Sequence, residues 1–447
     1  MPRHLYRTRS ERGQISAEYL GILAFVAAIA ALVIGLGPSI GSAVVDGIQD
    51  ALCTVVGGDC GSAPDAELAE GESSDGEQMP LPADPALVDD ALGNLRDELD
   101  GGFFGTRSGN LSAIEEILSG LSGPELDAVL ADLSDDELDQ LFDELDEGLF
   151  GSGWDEKRRR SFLNMIASKA SPETIARLNE FTDELQPAFD EVGGDDAADD
   201  PNNPVADAEY GDVPHQLFLL GTEDVVSIHP NDVDQGYIGD CWIMAAMTSV
   251  AQEHPEIIEN MIHRNPNGTY TVTFHEDGEP VEITVTPDVP LNEDGEPIFA
   301  EFPLAGVDLF GSDYELWPAI IEKAYARYSG NYRDIEGGQA EDALEAMTGV
   351  ESESYDMDEL SIEQLADIHE GGGAITMSSL DDPDETDFYS NGELVTGHAY
   401  YVTEIDEEAG TVTIRNPWGY YIDPITLTLD EYRENFDRVG VNPLVED

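Results

Sequence analysis

Hydrophobic and polar positions divide this chain into stretches of different period. Leu20 to Gly37 is an apolar run of 18 residues without a charge. At about 1.5 Å per residue it nearly spans a hydrocarbon core of roughly 30 Å, which predicts a transmembrane helix. Between 85 and 192 apolar side chains recur at helical spacing, as at Leu126, Val129, Leu130 and Leu133. Residues 241–263 and 314–329 also read as helices. After Gly373 the period changes to two, in AITMSS, HAYYVTEI, GTVTIRN and ITLTL, and predicts strands. A hairpin over 269–286 turns through Glu276-Asp277-Gly278.

Between these regions lie stretches with almost no large apolar residue. Residues 61–84 and 193–212 are rich in Gly, Pro, Ser and acid, and read as solvated linkers open to proteolysis. The chain thus divides into a leader (1–13), an apolar helix with its flank (14–60), a linker (61–84), a helical spacer (85–192), a linker (193–212) and a C-terminal half (213–447). Within the spacer, the segment from Leu121 realigns twelve residues later from Leu133. Each copy opens with Ser-x-x-Glu, a capping box: Ser122 with Glu125 and Ser134 with Glu137. Ser112 with Glu115 makes a third, and another helix is expected near Ser171-Pro172. The run Lys157-Arg158-Arg159-Arg160 is either a solvated helix face or a dock for an acidic surface, including the chain's own C-terminal half.

Charge narrows the function. The sequence has 96 Asp and Glu against 19 Lys and Arg, a formal net charge of −77. Binding of nucleic acid or an anionic membrane surface needs clustered cations and is excluded on that ground. Three cysteines cannot build a disulfide-dense scaffold or a Cys-only zinc site. The first 12 residues are the exception, with four Arg and one Glu. The positive-inside rule keeps them cytoplasmic and sends the rest of the chain outside. There Cys53 and Cys60 either form a local disulfide or stay as two thiols.

Gly13-Gln-Ile-Ser-Ala-Glu18-Tyr19, immediately before the apolar run, resembles the processing site of type IV pilins, and its Glu-Tyr pair looks like the Flp-type pilins. The resemblance implies cleavage after Gly13 and a helix retained as a membrane or filament anchor.

Candidate chemistry lies in the C-terminal half. In Asp234-Gln235-Gly236-Tyr237-Ile238-Gly239-Asp240-Cys241-Trp242 the cysteine precedes an apolar helical pattern. Unpaired N–H groups at a helix start favour a thiolate, so a lowered Cys241 pKa is expected. A thiolate mechanism also needs a base and a group that orients it. His398, in Gly397-His398-Ala399-Tyr400-Tyr401-Val402, and Asn416, in Ile414-Arg415-Asn416-Pro417-Trp418-Gly419, can supply them. Gln235 is placed to donate its amide to an oxyanion, and Trp418 to shield the His–Asn bond.

QGYIGDCW, GHAYYV and RNPWG resemble the Cys, His and Asn boxes of the calpains. Leu316-Trp317-Pro318-Ala319-Ile320-Ile321-Glu322-Lys323-Ala324-Tyr325 resembles the helix between them. The resemblance covers about 213–440 and implies an α+β, papain-like core of a helical lobe and a β-sheet lobe, here preceded by an all-α domain and the N-terminal helix. It implies a cysteine endopeptidase with Cys241, His398 and Asn416 as catalytic triad, Gln235 at the oxyanion, and Trp418 and Trp242 in support. Asp232 and Glu322 fall where the resemblance places acidic calcium ligands, so calcium is a possible activator, although the chemistry requires no cofactor. The expected partners are a protein or peptide substrate, the membrane, and other copies through pilin-like self-assembly. The expected location is an extracytoplasmic protease tethered by one helix, with release by cleavage. The alternative is a pilin-like surface structural protein with a non-catalytic binding module, and a transglutaminase-like acyl transfer is a third reading.

Overall fold

Several helix starts in this chain are set by short polar side chains that take up a free N–H group, as Asp155, Ser171, Ser361 and Thr428 do. The computed structural model describes residues 82–100, 107–145, 154–194, 203–218, 228–301, 314–383 and 387–444. They belong to one compact unit, Met79–Asp447. Gly13, Glu18, the apolar run at 20–37, Cys53 and Cys60 lie outside the described residues. No helix among the described residues is long and apolar enough to cross a membrane.

The helical segment comprises α1 (Pro85–Asp100), α2 (Arg107–Ser119), α3 (Gly123–Asp132), α4 (Asp135–Leu145), α5 (Glu156–Lys169) and α6 (Pro172–Leu178). Two of the expected capping boxes form. Glu125 accepts from the Ser122 backbone N–H at 3.0 Å, and Glu137 from that of Ser134 at 2.8 Å. The third does not. Ser112 lies inside α2, and Arg158 donates to both Ser112 Oγ (3.0 Å) and Glu115 (2.5 Å). A Ser-x-x-Glu pair caps only at a helix start; in mid-helix the same two side chains serve a neighbouring element. Leu95, Leu111, Ile114, Leu126, Leu141 and Ile166 are fully buried in one core.

The C-terminal half begins with the short strands β1 (Glu209–Gly211) and β2 (His215–Gln216), followed by helices α7 (Cys241–Glu253) and α8 (Pro255–Met261). The single helix expected over 241–263 is therefore two. Pro255 has no N–H to continue α7 and instead opens α8, and the chain leaves as a strand at Ile262. Next come β3 (Ile262–Arg264), β4 (Tyr270–Glu276), β5 (Glu279–Val285), β6 (Val289–Leu291) and β7 (Tyr314–Glu315). Strands β3, β4 and β5 form an antiparallel sheet in that order. The helix expected over 314–329 is α9 (Trp317–Ser329), because Tyr314 and Glu315 instead pair with β2.

The rest comprises α10 (Ala340–Thr348), β8 (Glu353–Asp356), α11 (Ile362–Glu370), β9 (Ala374–Ser379), α12 (Asp387–Ser390), β10 (Ala399–Asp406), β11 (Thr411–Arg415), β12 (Ile425–Thr428), α13 (Leu429–Asn435) and β13 (Phe436–Asn442). Six strands form one antiparallel sheet in the order β12-β11-β10-β9-β13-β8. α7 packs against β9 and β10, which joins a mainly helical lobe to a sheet lobe.

The linker expected over 193–212 is narrower in the fold. Val205 is buried in the core of the helical lobe, and Glu209–Gly211 pairs with β6. Val205 and Tyr210 are the apolar residues that anchor this stretch; the acidic residues 195–202 lie outside the described ones.

Candidate active site

The three candidate catalytic residues come from three elements brought together by the lobe junction. Cys241 opens α7, directly after its N-cap Asp240. His398 immediately precedes β10, and Asn416 immediately follows β11. These strands pair with Tyr401 opposite Arg415, so the residues just outside the paired region also become neighbours. His398 Nε2 and Asn416 Oδ1 are 2.9 Å apart. The same Oδ1 accepts the Trp418 backbone N–H at 3.0 Å. A backbone N–H can only donate, so it fixes which way the Asn416 amide faces. That assigns the His398 proton to Nε2 and leaves Nδ1 as the basic nitrogen.

His398 is held from several sides. Its backbone N–H donates to Ser379 Oγ at 3.0 Å, and Ser379 Oγ–H donates to the Val395 carbonyl at 2.6 Å. The preceding Gly397 has φ +57°, a left-handed conformation that a side chain would strain. Tyr400 meets the imidazole edge-on and Trp418 tilts over it, each with ring centroids 5.0 Å away. Trp418 is also 37% exposed, so it forms the solvent-side cover of the His–Asn bond. Trp242, next to Cys241 on α7, donates its indole N–H to the Ile335 carbonyl at 3.0 Å.

The backbone N–H of Ala399, the residue after His398, points at Cys241 Sγ at 3.5 Å. The thiol does not have the lowered pKa expected from a helix start. Burial, reinforced by the Asp240 carboxylate, outweighs the favourable N–H groups and pushes the thiol up to about 11. Burial also lowers the His398 pKa, against the opposing effect of Asn416. Both shifts favour the neutral forms, thiol and imidazole.

Gln235 is buried, and its backbone N–H donates to the Pro417 carbonyl at 3.0 Å, tying the Cys box to the Asn box. Its side-chain amide donates to the Ile238 carbonyl (2.8 Å) and to Asp240 Oδ1 (3.2 Å), so both amide protons are occupied here.

Asp232 and Glu322 both accept protein N–H groups in this arrangement. Asp232 Oδ2 accepts from the His229 backbone N–H at 2.6 Å and from Trp317 Nε1 at 3.3 Å. Both Glu322 oxygens lie 3.1 Å from the Ala300 N–H, and the fully buried carboxyl hydrogen-bonds Asp240. Burial raises the pKa of both Glu322 and Asp240. Among the described residues no group of three or more His, Cys, Asp or Glu is placed to hold a metal ion.

Ser379, Asp240 and Tyr400 went unassigned in the sequence reading. Ser379 lies 19 residues from His398 and carries no motif. Asp240 stands inside the Cys box, but only its tertiary contact with Glu322 gives it a role.

Residues 214–422 match the family model described as calpain family cysteine protease. A calpain-type cysteine protease of Oryza sativa subsp. japonica is 34% identical over 212 residues, which is 44% of this chain and 9% of that protein. The calpain-2 catalytic subunit of Homo sapiens is 32% identical over 208 residues, covering 42% of this chain and 28% of the relative. The chain therefore spans less than a third of the length of these relatives. The match takes in the Cys box, the helix α9, the His box and the Asn box in order, and residues 214–422 are a calpain family cysteine protease domain.

Proposed function

We propose that this protein is a cysteine endopeptidase that cleaves peptide bonds with Cys241, His398 and Asn416. The observation that carries this reading is the Asn416 carboxamide, oriented by the Trp418 N–H and bonded to His398 Nε2, which leaves Nδ1 as the base. In the reaction the Cys241 proton passes to His398 and the thiolate attacks the substrate carbonyl. His398 then returns the proton to the leaving amine. Water hydrolyses the thioester and restores the thiol. Gln235 and the Cys241 backbone N–H are the oxyanion donors, which requires the Gln235 amide to turn away from Asp240.

The neutral thiol and imidazole belong to a resting arrangement. Calcium enters as an activator implied by the resemblance, with Asp232 and Glu322 assigned to it; the chemistry itself runs on this chain's own residues. The substrate is a protein or peptide, and the strong negative charge disfavours acidic targets. The segment at 20–37 is assigned as a membrane anchor that holds the domain outside the cytoplasm, with pilin-like processing after Gly13 and self-assembly as further consequences of that assignment.

The test is hydrolysis of an unfolded protein substrate by the wild type and by Cys241→Ala, with labelling of Cys241 by an electrophilic peptide epoxide, each with and without calcium. Loss of both in the folded Cys241→Ala protein is expected. Unchanged turnover in that variant would overturn the assignment.

A further inference from the structure

The polar face and outer edge of the β3-β4-β5 sheet, together with two cations on α9, form a surface occupied by the helical segment that precedes the domain. Asn164 on α5 does what a neighbouring strand would do for β5. Its side-chain N–H donates to the Glu282 carbonyl, and its Oδ1 accepts the Thr284 N–H at 3.0 Å. The open edge of β5 is sealed there by one carboxamide. Asn267, beside β4, donates to the carbonyls of Ala167 (2.8 Å) and Ala170 (2.6 Å) at the end of α5.

The two cations of α9 are buried at this junction. Arg327 donates to Asn164 Oδ1 at 3.0 Å, to the Glu184 carbonyl at 2.6 Å and to the Thr284 carbonyl. Lys323 is wholly buried and pairs with Asp288 at 3.1 Å. Gln186 bonds that same Asp288 at 2.5 Å and Thr286 at 3.1 Å. Beyond Gln186 the chain adds Pro187 and Ala188, whose carbonyls accept from Tyr210 Oη (2.6 Å) and the Tyr332 N–H (3.0 Å). Phe189 then packs edge-on against Tyr210 and Phe299. A buried guanidinium without its acceptors, or a buried strand edge without its partner, is strongly disfavoured, so this contact is a closed set of satisfied groups.

We propose that residues 154–192 are a built-in partner of the protease domain, sealing β5 and completing the surroundings of Lys323 and Arg327, so that the working unit begins well before 213. The consequence reaches the active site because α9 is shared. One residue from Lys323, Glu322 hydrogen-bonds Asp240, which precedes Cys241. The helical segment thereby holds the helix that backs the nucleophile.

The experiment uses the full chain with a recognition site for a sequence-specific protease inserted between Asp196 and Ala197. After cutting under native conditions, the two fragments should co-elute on gel filtration and melt as one unit. Asn164→Ala and Gln186→Ala, each in the cut chain, should weaken the association at least tenfold. The proposal is overturned if the cut wild-type fragments separate and the C-terminal fragment keeps the melting temperature of the uncut chain. It is equally overturned if both variants associate as tightly as the wild type. Association and melting are read without any substrate, so they stand or fall independently of peptidase activity.

Discussion

The Asn416 carboxamide accepts two hydrogen bonds on one oxygen, from His398 Nε2 at 2.9 Å and from the Trp418 backbone N–H at 3.0 Å. The second bond makes the first directional. In Asn416→Ala the imidazole loses the acceptor that holds its proton on Nε2. Hydrolysis should fall on the order of 10²-fold or more, because a misdirected base forfeits most of its general-base contribution. The melting temperature should change little, and a circular dichroism melt beside the kinetic assay checks both.

Cys241 alkylation should be slow at neutral pH and rise with pH. With the thiol held up at about 11, each added pH unit below that value increases the thiolate about tenfold. Iodoacetamide labelling from pH 7 to 10, read by mass spectrometry, tests this. A plateau reached near pH 8 in the resting protein would contradict it.

The lowered His398 pKa makes a stability claim of definite sign. The folded protein binds a proton at this site less readily than the unfolded chain. Its contribution is therefore complete above the unfolded value of about 6.5 and shrinks as pH falls through that value toward the folded one. Urea melts of the wild type and of His398→Gln between pH 5 and 8 should show a shallower acid-side slope in the variant.

Ser379→Ala removes one acceptor and one donor at once, leaving the His398 N–H and the Val395 carbonyl unmatched. About 1–3 kcal/mol of stability should be lost. Activity should fall too, because the backbone that carries the imidazole is released. Ser379→Thr, which keeps the hydroxyl, should recover part of both.

Gln235→Ala should lower kcat by about 10²–10³ with little change in KM, the signature of a donor that acts on the developing oxyanion. An equal loss in KM alone would mean that Gln235 serves only to join the Cys box to Pro417.

Much of the site could be read from the chain because its boxes are local. A few residues around Cys241, His398 and Asn416 carry both their identity and their order. Strand pairing then brings the latter two together without further instruction. What escaped the sequence depends on tertiary contact. The apolar spacing of α7 runs on past Pro255, so one helix was expected where there are two. Ser112 and Glu115 have the capping pattern, but Arg158 takes them instead. The direction of the Cys241 shift follows from burial, which no local motif reports. Asn164 and Gln186 look like ordinary polar positions on helical or loop sequence, and only the edge of β5 and the cations of α9 give them work.

Burial of Lys323 and Arg327 also changes what the solvent meets. The chain has only 19 Lys and Arg against 96 Asp and Glu, and two of those cations are withdrawn from the surface. The exterior is left still more one-sidedly anionic, and mutual repulsion among its carboxylates acts against compaction. Dissolved cations are then the main counterweight. At about 0.1 M salt the screening distance is roughly 10 Å, and it shortens as salt rises. The native fold should therefore gain stability as ionic strength rises, which thermal melts at increasing salt would show.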